Sequence, residues 1–384
     1  MRRTIPNRFC LSAPALLMLC TAILHAQSFP SGSTGADGAL NITAAGVTTF
    51  STPPVGGGSV YNFTTINIAA GSTLKLSGAV FSSPIYFLAS GAVTVAGTID
   101  LSGQAGSVPA NSAQRIPTIP GSGGYAGGLA AFGGQGATNG SGPLGGTNGL
   151  CGGGFGGNQF LVPLVGGSGG NGANGSGGAG GGALLIASSV SITVTGTITA
   201  AGGAGGSSCG GAGGGIRLVA PAIAGTGSIT AAAGSGFYAN GASGVVRLEF
   251  FQSTFTGTTG GSLYTVTPIA LFVPAASAQP SIIVTSINVP GVTNPVPVPA
   301  NPTGSFTVPD VALNSTSPLT VNIKASNIPL GTIPTLYFST ENFPDQQIAA
   351  SAGLAGTLAS STTTATVTLN PGYSIGYVVV TWKQ

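Results

Sequence analysis

The sequence predicts an all-β chain, a parallel β-solenoid (β-helix) with a long Gly-rich insertion, followed by a β-sandwich. Three observations carry this reading. A pair of short alternating segments recurs with nearly constant internal spacing, 68 of the 384 residues are Gly, and after Pro280 glycine thins out in favour of Pro, Val and Thr. Period-two alternation means strands with one buried face. A fixed repeat means units that bury their apolar faces by stacking on one another.

Met1 to Gln27 comes first and reads as an export signal. Arg2, Arg3 and Arg8 precede an apolar run from Ala13 to Leu24, and Leu24-His25-Ala26 supplies a small-residue cleavage point, so residues 1–26 are expected to leave as a signal peptide. The run falls short of the roughly 20 apolar residues of an uncleaved anchor. Leu19 is bulky where lipoprotein processing at Cys20 would need a small residue, and no later stretch is long and apolar enough to span a bilayer. Cleavage removes Cys10, Cys20 and His25, the sole histidine, and it takes three of the nine basic residues, leaving six against six acids. A neutral chain lacks the cationic surface that holds phosphate backbones, so no nucleic-acid partner is expected. Without histidine the mature chain also lacks the commonest general base and metal ligand.

The solenoid is expected over residues 27–273. Val93-Thr94-Val95-Ala96-Gly97-Thr98-Ile99-Asp100 aligns without gaps to the segments beginning at Ile192 and Ile223, with the two branched apolar residues of each copy pointing inward and Gly between them. A second strand precedes each copy, at Ile85, Leu184 and Ile216, and recurs at Val246. Arg217 and Arg247 then fall at equivalent positions one unit apart, and Glu249, two residues beyond Arg247 on the same face, reads as its structural ion-pair partner. Leu40–Thr43 and Thr65–Gly78 read as entry rungs. A β-sandwich with long Gly loops is the alternative, and it does not explain the repeated offset.

An insertion at about 104–181 separates the first two copies. From Gly121 to Gly182, 29 of 62 residues are Gly, and no charged residue occurs from Ile116 to Ile216. Two readings stay open. One is a flexible loop, since fixing Gly costs the most backbone entropy. The other is a bundle of extended polyproline-II-type helices, because Gly recurs at every third position from Gly166 to Gly181; Tyr125, Phe132, Phe155 and Phe160 would wedge or cap it. Cys151 and Cys209 remain after cleavage, both embedded in glycine. An even pair in an oxidising exterior reads as one disulfide, with two free thiols as the alternative. A zinc site would need two more ligands, and neither a phosphate loop nor a Gly-Gly-x-Gly-x-Asp calcium repeat occurs.

Residues 274–280 read as a linker and 281–384 as an immunoglobulin-like or fibronectin-like sandwich. Strands are expected at Ser281–Val289, Gly304–Val308, Leu319–Ala325, Thr335–Ser339, Thr362–Leu369 and Tyr377–Trp382.

The segments Ser33–Ile42 and Tyr61–Leu74, with the later rungs Gly214-Gly215-Ile216-Arg217-Leu218 and Gly244-Val245-Val246-Arg247-Leu248, resemble a loose group of Gly-rich secreted bacterial surface and phage-tail proteins. The resemblance covers about residues 33 to 250 and implies a secreted parallel β-helix of adhesin-like character, with no catalytic signature to transfer. The insertion is also similar to the polyglycine-type bundles of phage tail-tip adhesins.

The function expected is therefore that of a non-catalytic secreted or cell-surface structural protein, a rigid solenoid presenting a Gly-rich contact surface to glycans or to cell-surface and matrix components. No catalytic, cofactor-binding or metal-binding residue is assigned. A carbohydrate-active β-helix enzyme is the rival, and it would need two or three carboxylates close together. The acids of the mature chain are Asp37, Asp100, Glu249, Asp310, Glu341 and Asp345, and of these Asp100 and Glu249 alone belong to aligned rungs. Tyr337, Phe338, Phe343, Tyr373 and Tyr377 read as sandwich core or as a glycan platform. The outward threonines of the rungs, Thr193 to Thr199 among them, resemble the array of an ice-binding solenoid, a third reading.

Overall fold

The computed structural model describes residues 28–110, 115–275, 279–290, 298, 310–340 and 343–380. The signal segment, residues 276–278 of the linker, the strand expected at Gly304–Val308, Glu341 and Trp382 lie outside the described residues. Among the described residues every regular element is a strand. The chain is all-β.

Four strands open the array: β1 (Gly38–Ile42), β2 (Gly46–Thr49), β3 (Val60–Ile68) and β4 (Ser72–Lys75). Units of three strands follow. They are β5 (Ile85–Ala89), β6 (Val93–Val95) and β7 (Thr98–Asp100), then β8 (Ala183–Ser188), β9 (Ser191–Val194) and β10 (Thr197–Thr199). The next are β11 (Gly215–Val219), β12 (Ala222–Gly225) and β13 (Ser228–Thr230), then β14 (Val245–Glu249), β15 (Gln252–Phe255) and β16 (Thr258–Gly260), and β17 (Ser262–Val266) closes the array. Equivalent strands of successive units pair in parallel, which makes three columns, containing β5, β6 and β7 respectively and extended by the opening strands. The long β3 pairs with both β5 and β6 and joins their columns into one 11-stranded sheet, while the third column is a 6-stranded sheet of its own.

The register explains the repeated sequence. Ile66, Val93, Ile192 and Ile223 stand in line across the second column, and Leu74, Ile99, Ile198 and Ile229 across the third. All eight are buried in the core between the sheets. Each such side chain contributes about 1.5–3 kcal/mol relative to exposure. The first column is buried on both faces, which is why its strands read as continuous apolar runs. Its outer residues Tyr86, Leu185, Arg217, Arg247 and Tyr264 are in register, and that face is covered by Phe29, Leu161, Leu164 and Leu271.

Between the third column and the next first-column strand the chain leaves the sheets, at residues 101–182, 200–214 and 231–244. These are the glycine-rich arms.

The C-terminal residues form two four-stranded antiparallel sheets. One is β18 (Ser281–Asn288), β20 (Leu319–Ser326), β24 (Ser360–Val367) and β23 (Ala355–Thr357); the other is β19 (Val311–Asn314), β25 (Tyr373–Val379), β21 (Thr335–Thr340) and β22 (Phe343–Ala349). A core of their own, including Ile287, Val321, Leu336, Phe338 and Val367, takes side chains from both sheets. β19, β22 and β23 have no counterpart among the strands read from the sequence. β25 begins at Tyr373, four residues ahead of the expected start, because Ser374, Ile375 and Gly376 pair with both β19 and β21 despite a local composition that reads as a turn.

Candidate functional site

Among their described residues the arms have neither helix nor strand, yet most of that backbone is hydrogen-bonded at a three-residue period. In the hairpin of residues 166–182, Gly167 N–H donates to the Gly181 carbonyl at 2.8 Å and Gly170 N–H to that of Gly178 at 2.9 Å. The returning limb then reaches the next arm, with Gly178 N–H on the Cys209 carbonyl and Gly181 N–H on that of Ala212, both at 2.9 Å. That arm closes its own hairpin by Gly211 to Gly203 and Gly214 to Ala200, and the last arm repeats the pattern with Gly241 to Gly234 and Gly244 to Ala231. Extended chains with three residues per turn have no internal hydrogen bonds, so packing side by side is the only way to satisfy their amides away from water. The same spacing accounts for the glycines. A methyl group on Gly180 would land on the Gly167 carbonyl oxygen, and one on Gly178 on that of Gly203.

The insertion supplies a further limb. Tyr125, Gly128 and Ala131 donate to Gly167, Gly170 and Ala173. Of the aromatics expected to wedge or cap the bundle, Phe155 packs against the outer face of the first column. Tyr125 is mostly buried, which raises its phenol pKa above the ordinary value.

The far ends of the arms meet. Cys151 and Cys209 are joined by a disulfide with Cα atoms 5.7 Å apart, which ties the insertion to the second arm. Ser208, next to Cys209, accepts at its carbonyl from Phe237 N–H at 2.8 Å, and Tyr238 hydroxyl accepts from the Asn174 amide at 3.2 Å. Leu150, Phe237 and Tyr238 are 82%, 74% and 55% exposed around this cross-link. The two rings lie edge to face with centroids 5.0 Å apart. Sequence reasoning did not single out Phe237 or Tyr238. The signal was there, in an aromatic pair interrupting a run of Gly, Ser and Ala in the third arm.

A second group of charged residues lies under the cover of the first column. Glu249 Oε1 accepts from Arg217 Nε at 2.8 Å and from Arg247 Nε at 2.6 Å, and its Oε2 accepts from Ile269 N–H at 3.0 Å. Arg247 also donates to the Gln159 carbonyl at 3.2 Å and stands over the Phe160 ring at 5.5 Å. Arg217 and Glu249 are fully buried, and Nη1 and Nη2 of Arg217 have no acceptor. This arrangement pins the insertion and the segment after β17 onto the sheet.

The described acids are dispersed over different elements. Asp100 pairs with Lys75 at 2.8 Å on the third column, Glu249 belongs to the first, and Asp37 accepts from the backbone of Val55 and Asn62. Among the described residues no three of His, Cys, Asp and Glu gather as a metal centre requires. In the C-terminal sheets Phe338 is buried, whereas Tyr337 and Tyr373 are 41% and 52% exposed, and Tyr337 stands opposite Tyr377. Burial, with Asp310 adding to it, raises the pKa of Tyr377.

No protein family, curated protein or solved structure matches the chain.

Proposed function

We propose that the chain is an exported surface protein whose stacked units form a parallel β-solenoid, and that this solenoid serves as a rigid support for the glycine arms. The C-terminal pair of sheets is an immunoglobulin-like sandwich that extends or attaches it. The arms present an adhesin-like contact surface to uncharged partners such as cell-surface glycans. The observation that carries the reading is the cross-linked end of the arms, where Leu150, Phe237 and Tyr238 are held exposed by a disulfide and by backbone hydrogen bonds. Large apolar side chains are costly to leave in water, and loops on a rigid frame are where binding residues concentrate. A disulfide also fits an oxidising exterior.

The test is binding of purified protein to a glycan array and to intact cells, with a Phe237→Ala, Tyr238→Ala double variant beside it. The reading expects binding by the parent chain and its loss in the variant at unchanged thermal stability. Turnover of a polysaccharide, or binding by neither protein, contradicts it.

A further inference from the structure

The outer surface of the third column carries a different pattern, one that neither the core nor the arms require. Thr98, Thr197, Ser228 and Thr258 stand in one line across β7, β10, β13 and β16, and Thr199 and Thr230 in a second line two residues along. The residue before each corner glycine, Gly196, Gly227 and Gly257, is threonine as well. These side chains are outward and partly or fully exposed. Parallel pairing fixes the rung-to-rung repeat at ~4.8 Å and the spacing along a strand at ~6.6 Å. Threonine is stiff at χ1, so each hydroxyl and methyl keeps its place. The three units from β9 to β16 place no charge on this surface, and the Lys75–Asp100 pair bounds it on one side.

We propose that this surface binds the face of an ice crystal. Two features select that occupant. The array is periodic in two directions with repeats of a few ångströms, as an ice face is, so many weak contacts can form at once on a surface that loses little entropy in ordering. It is also built from methyl and hydroxyl groups without charge, which hold water in a regular layer where ions would impose shells of their own. The inference concerns a surface separate from the cross-linked tip and stands or falls without it.

The experiment uses the whole mature chain, fluorescently labelled, in an ice-uptake assay and in ice-recrystallisation assays. Variants Thr197→Lys and Ser228→Lys each place a charge in the middle of the array at an outward position; Thr357→Lys, exposed on β23, serves as the control. Uptake into ice and inhibition of recrystallisation by the parent and by Thr357→Lys, with loss in the other two at unchanged melting temperature, supports the proposal. Should one array variant fail to fold, the other and the parent decide. Exclusion of the parent chain from ice overturns it, as does uptake of the array variants equal to the parent's. Retention on crystalline cellulose with no uptake into ice overturns it too.

Discussion

Four positions, Glu249, Arg217, Gly180 and Tyr86, show how differently single residues are constrained here. Glu249 neutralises two buried guanidinium groups. Its replacement by Leu leaves both charges uncompensated, and a loss of about 3–5 kcal/mol is expected from urea unfolding. Arg217→Leu is the opposite case. The terminal nitrogens of Arg217 have no acceptor, its column neighbour is Leu185, and Glu249 keeps Arg247 and Ile269, so near-neutral stability is expected in the same measurement. Gly180→Ala puts a methyl group on a carbonyl, with an expected cost of about 1–3 kcal/mol or more; Gly149→Ala, which meets nothing within 4 Å, should cost far less. Tyr86 has its phenol pKa pushed up to about 12, by burial, against the opposing pull of Arg217. A raised folded-state pKa means stability that is complete below the ordinary value of 10.0 and is lost as pH climbs toward 12. The urea midpoint of the parent should therefore fall over that range more steeply than that of Tyr86→Phe.

At the scale of the element, the rungs were legible because their chemistry is local. Alternating Ile and Thr around a glycine can bury one face only, and the register puts Ile99, Ile198 and Ile229 where the sequence alignment puts them. Arg217 beside Arg247 follows from the same spacing. The Lys75–Asp100 pair did not emerge, since its partners meet only once adjacent rungs are stacked. β19 escaped notice because it is four residues long and is fixed by β25, a partner distant in sequence. β22 and β23 are instead hairpin partners of β21 and β24 whose local sequence gives no strand signal, with Pro344 and Asp345 opening β22 as a turn would and β23 only three residues long. The arms were ambiguous for a physical reason. Glycine at every third position marks an extended helix that is stable only when its amides find neighbours, and neighbours are a property of the fold. The disulfide closes a separation of 58 residues between two such arms. Cys151→Ser with Cys209→Ser should cost about 2–4 kcal/mol, with increased proteolysis concentrated near Leu150.

Taken as a whole, the molecule combines two ways of stacking one chain. Strands pair across the columns, and the arms continue the same stacking outward through carbonyls spaced three residues apart. Among the described residues, the C-terminal sheets have a core that takes no side chain from the columns. Two calorimetric transitions are therefore expected, and cysteine replacement should move only the one belonging to the columns and arms. The account depends most on the arms being a bonded wall, and amide hydrogen exchange read by mass spectrometry over residues 166–182 and 200–214 tests that most directly. It predicts protection close to that of β8 and β11. Complete exchange of these glycines at the rate of an unstructured peptide, with the strands still protected, would contradict it.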